Sequence, residues 1–147
     1  MSFIFSLQKL LDLRAQELEK EQIQLELMGQ KIWQIKDRLV QERDLYFQDR
    51  TDFNNKIRLC EFSEAKTFED SLALRQKKMM LLLQSLRTLQ SEYDVQDILV
   101  KSLQKNKKSL ENLKAKRKKE YQDKVSRKEA QMMDDLAISR HYFSQEG

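Results

Sequence analysis

Proline is absent from the 147 residues, and glycine occurs only at Gly29 and Gly147. That excludes a strand-and-turn protein, because hairpins and tight turns need residues that accept positive φ or pre-set it. A lone cysteine, Cys60, rules out an internal disulfide and points to a reducing compartment. One histidine, His141, and no glycine-rich phosphate loop leave little for catalysis or metal binding. The expectation is therefore a protein that is not an enzyme and holds no cofactor or metal. No apolar run approaches the roughly 18 to 20 residues that span a bilayer. The apolar opening is interrupted by Lys9 and Asp12 and has no basic residue before it, unlike a secretory signal. A soluble, cytoplasmic chain is expected. Aromatic residues make up 8% and charged residues 35%, which suits an elongated protein better than a compact globule.

What is present is helix-forming and periodic. Ala, Glu, Lys, Leu and Arg supply 69 of the 147 residues, close to the half expected of coiled coils. Every seventh residue from Ile4 is apolar: Leu11, Leu18, Leu25, Ile32, Leu39, Tyr46, Phe53 and Cys60 follow. A seven-residue repeat of this kind marks a left-handed supercoil, and we label this column a. Its companion column d is mixed: Leu7, Arg14, Glu21, Met28, Ile35, Glu42, Asp49 and Lys56. A second series runs through Ala65, Leu72, Met79, Leu86, Tyr93 and Val100, turns polar at Lys107 and Lys114, and resumes at Tyr121. Its companion is Phe68, Arg75, Leu82, Leu89, Gln96, Leu103 and Leu110. The two series are out of frame, so one turn is expected between them. Thr67 and Asp70 resemble a capping pair that would start the second helix.

The predicted fold is all-α: two long helices forming an antiparallel coiled-coil hairpin in a single domain, 1–147. Helix 1 is expected at about 3–60, the turn at about 61–67 and helix 2 at about 68–140. A turn centred near residue 64 makes the numbers of facing residues sum to about 128. Glu21 then faces Lys107 and Ile4 faces Lys124, which leaves residues 125–147 overhanging. Cys60, ending column a, is expected as a small seam residue rather than a reactive thiol.

Charge is uneven. Residues 101–128 hold 12 basic and 3 acidic groups, whereas residues 129–147 hold 1 and 4. The basic stretch suits a solvated face, an acidic protein or anionic lipid. It contains a single aromatic residue, Tyr121, so the stacking groups of a nucleic-acid binder are missing and none is expected to bind. Trp33, Val40 and Phe47 fall in column b, about 130° from the seam, where they should face water. The run from Met79 to Leu83 is apolar all round and places Met80 and Leu81 outside as well. Scattered surface residues and self-association are the plain readings; an aligned Trp and Phe favour a protein-docking surface.

These features resemble the flagellar export protein FliJ family. The likeness is carried by Phe5, Leu7, Leu10, Leu11 and Arg14 at the start, by Leu110, Leu113, Lys116, Glu120 and Tyr121, and by Asp134, Asp135, Ala137 and Arg140. It implies an antiparallel coiled coil akin to a rotary-ATPase stalk, inserted into the ring of the export ATPase FliI. It further implies contact with the export gate FlhA, handling of export chaperones, and peripheral association with the inner membrane at the flagellar base. On that reading Phe3, Phe5, Leu7, Leu10, Leu11 and Arg14 meet the ATPase ring, together with Lys116, Arg117, Tyr121 and Arg127. The gate contact is assigned to Trp33, Val40, Tyr46, Phe47, Met79 and Met80. An injectisome stalk protein and a generic coiled-coil scaffold are the alternatives.

Overall fold

The computed structural model describes residues 2–146, and among them there are two α-helices and no strand. Helix α1 spans Gln8–Arg58 and helix α2 spans Phe62–Glu146. The all-α helical hairpin expected from the repeats is what the chain forms. Helix α1 starts later than residue 3, and α2 starts earlier than residue 68. The turn is only Leu59, Cys60 and Glu61, not 61–67. Thr67 and Asp70 therefore sit inside α2, and they do not cap it.

The short turn has a defined geometry. The Glu61 amide donates to the Lys56 carbonyl at 2.9 Å and the Cys60 amide to the Ile57 carbonyl at 3.1 Å. These two bonds are the Schellman pattern that satisfies the last carbonyls of a helix. The motif needs one residue in the left-handed region, and Cys60 supplies it with a φ of 61°. Cys60 is exposed, so it closes the turn and is not a seam residue. Lys56 reinforces the junction, with Nζ 2.7 Å from Glu61 and 2.6 Å from Glu64. Those two bonds, to Glu61 first and then Glu64, raise the Lys56 pKa, and the same lysine lowers that of Glu64.

The hairpin divides into two compact units, residues 1–18 with 102–147, and residues 19–101. In the second unit Ile32, Ala65 and Val100 are buried, and the remaining a and d positions of both series from Glu21 through Gln96 are half-buried, except the exposed Cys60. In the first unit Phe5, Leu11 and Leu18 are buried. Leu7 and Arg14 of α1's side, and Leu103, Lys107, Leu110, Lys114 and Tyr121 of α2, are half-buried. Ile4, expected to open column a, is 84% exposed, because the chain reaches helix only at Gln8 and Phe5 fills the seam instead.

Moving the turn to residue 60 shifts the register. Facing residues now sum to about 120, not 128. Glu21 accepts a hydrogen bond from Gln96 Nε2 at 2.5 Å, so its partner is Gln96 and not Lys107. Column d polarity is thus matched across the seam. Arg75 donates from Nε to Asp49 at 2.7 Å and from Nη1 to Glu42 at 3.1 Å, while Ser71 Oγ donates to Asp49 at 2.6 Å. The Ser71 hydroxyl, and then Arg75, hold the Asp49 carboxyl below its usual value of 3.8.

Candidate docking surfaces

In the unit of residues 1–18 and 102–147, the opening residues lie along α2. The rings of Phe3 and Tyr121 have centroids 5.7 Å apart, and the Arg117 guanidinium stands 5.9 Å over the Phe5 ring. Arg117 Nη1 also donates to Ser6 Oγ at 3.2 Å. A backbone bond from the Gln8 amide to the Phe5 carbonyl, at 3.1 Å, turns the chain into α1. The sequence-predicted ring residues therefore divide into two sets. Phe5, at 5% exposure, and Leu11, at 7%, have their side chains packed inside this unit, with Phe3, Leu7 and Tyr121 half-buried beside them. Arg14 is also half-buried and pairs with Glu17 at 3.0 Å. Leu10, Lys116, Arg117 and Arg127 are exposed. The apolar members mostly build the unit; of the basic ones, Arg14 and Arg117 are engaged within it, and Lys116 and Arg127 are exposed.

In the unit of residues 19–101 the off-seam apolar residues are exposed as column b requires: Trp33 68%, Val40 45%, Phe47 54% and Met80 63%. The new register places Met80 level with Val40, and residues at equivalent heptad positions of an antiparallel pair share a flank. Trp33, Val40 and Phe47 follow one another along that flank of α1 at one-heptad steps, with Met80 on the same flank of α2. Tyr46 and Met79, assigned to the same contact, are half-buried seam residues. Tyr46 accepts from Gln76 Nε2 at 3.1 Å and meets Phe47 edge-on at 5.9 Å. Leu81, expected outside, belongs to a column with Leu74 and Val95, which the sequence pattern left unassigned; the three are 54%, 55% and 69% exposed, with Thr88 between Leu81 and Val95. Its seven-residue spacing was the available signal. Beside it lie two open grooves of about 280 and 470 Å³ that share Leu81.

No helix is long and apolar enough to cross a membrane among the described residues. Among them, too, no three His, Cys, Asp or Glu side chains gather into a metal-binding group. No known protein family, curated protein or solved structure matches the chain.

Proposed function

We propose that this chain is a stalk-like component of the bacterial flagellar type III protein export apparatus. It promotes ring assembly of the export ATPase FliI, couples that ring to the export gate FlhA, and takes part in handling export chaperones. The observation that carries the reading is the arrangement of residues 3–18 against α2, which fixes an apolar support and leaves Leu10, Lys116 and Arg127 exposed. An ATPase ring with acidic and apolar groups lining its pore would engage this surface. The gate contact uses Trp33, Val40, Phe47 and Met80. The stalk breaks no bond itself; it acts by binding.

Mixing the purified chain with a hexameric FliI-type ATPase tests the reading. The expected result is a raised hydrolysis rate and co-elution at less than one chain per ATPase subunit. A folded, fully helical sample that leaves the rate unchanged overturns the proposal. Replacing Lys116 and Arg127 by Glu should abolish stimulation without loss of helicity, since both side chains are exposed.

A further inference from the structure

From residue 126 to residue 144 every side chain of α2 is exposed, so this segment runs on without a partner helix. It is nevertheless patterned. Tyr121, Met132 and Phe143 are eleven residues apart, and so are Val125 and Leu136. Eleven residues make close to three helical turns, so these side chains keep to one face of a nearly straight helix. Met132, Leu136 and Phe143 are 64%, 52% and 70% exposed, and a groove of about 330 Å³ runs along the face from Tyr121 to Met132. Lys128 and Asp135 flank the stripe on the same side, one heptad apart.

We infer that residues 125–143 pair antiparallel with the same segment of a second copy of this chain. Charge selects this occupant. Arg127 and Lys128 precede Glu129, Asp134 and Asp135, so reversal about the middle of the segment brings Lys128 to the other copy's Asp135. With Met132 near the two-fold axis, facing residues sum to about 263. Lys128 then meets Asp135 of the second copy twice over, and Val125 approaches Leu136. A parallel pair would set Lys128 on Lys128 and Asp135 on Asp135. An anionic membrane is disfavoured because Glu129 and Asp135 border the apolar face and would be pressed against like charge. The seam that Phe3 and Phe5 end on α2 is continued by the second copy's helix, which runs in the direction of α1. The pairing requires no ATPase and does not depend on the export reading.

Few apolar side chains are involved, so the interface belongs to the small, concentration-dependent class and should be populated by about 0.1 mM. Sedimentation equilibrium of the full chain at low salt tests it. The expected result is a monomer–dimer equilibrium weakened at least about tenfold by Lys128→Asp or Asp135→Lys alone and restored by the two together. Orientation is read in a Cys60→Ser background. A Val125→Cys chain should form a disulfide with a Leu136→Cys chain but not with itself, because its two copies would stand roughly 20 Å apart. A chain that stays monomeric at about 0.1 mM overturns the inference. So does association that ignores the charge exchange, Val125→Cys chains that link to themselves, or a segment that binds vesicles of phosphatidylglycerol while remaining monomeric.

Discussion

Cys60 holds the backbone position that glycine most often fills at the end of a helix. With its Cβ it pays the left-handed conformation's steric cost, and no buried contact offsets that cost because the side chain is exposed. Cys60→Gly should therefore raise the stability of the hairpin by about 1 kcal/mol, measured as a higher urea midpoint at unchanged slope. Gly29 presents the converse case. It lies within α1, and a Cβ built there would stand 3.7 Å from Tyr93 Cε2, an ordinary contact. Gly29→Ala should stabilise by about 0.5–1 kcal/mol, since a mid-helix glycine costs that much and nothing here requires it. Which of two unusual residues would close the turn was not legible from residue type: the chain's internal glycine sits in a helix, and a cysteine does glycine's work.

At the level of the helices, the heptad columns were legible and the polar members were the informative part. A two-helix seam leaves its d positions half-wet, so Glu21, Glu42, Asp49, Arg75 and Gln96 are tolerated there, and they find one another. Arg75 bridges Glu42 and Asp49, whose side chains are 21% and 14% exposed. Arg75→Met leaves two half-buried carboxylates without their cation and should cost about 2 kcal/mol, read from thermal or urea unfolding. Such a network also specifies register, because sliding one helix by a heptad leaves Arg75 with only one of its two carboxylates. The Asp49 pKa is depressed in the folded state by Ser71 and Arg75, so its contribution is present above the unfolded value and is lost as pH falls through the folded one. The difference in Tm between the parent and Asp49→Asn should be constant from about pH 8 to pH 5 and shrink below about pH 4. A gap that persists at acid pH would show that the carboxylate charge is not what matters.

For the molecule as a whole, the two compact units offer different surfaces. One presents the basic stretch of α2 and the exposed helix that follows it; the other presents Trp33, Val40, Phe47 and Met80. If the latter patch is the gate contact, Trp33→Ala with Phe47→Ala should weaken binding to the FlhA cytoplasmic domain at least about tenfold, as expected for central aromatic anchors. Helicity by circular dichroism should be unchanged, because neither ring is buried. Unchanged affinity would remove the patch from the gate and leave it an ordinary apolar surface.

The amino-acid sequence by itself determined that the chain is helical, that it doubles back once, and, apart from the two ends of the first column at Ile4 and Cys60, which side chains face the seam. It could do so because a seven-residue apolar repeat has only one economical burial, and because the absence of proline and the scarcity of glycine leave few ways to interrupt a helix. Only the tertiary structure decided the register. That choice rests on a three-residue Schellman turn at Leu59–Glu61, and a turn displaced by four residues moves every cross-seam pair by about one heptad. Sequence periodicity is invariant to that displacement, since a column shifted by seven still lands on itself. The pairing of charges across the seam is not, and it resolves what the repeat leaves open.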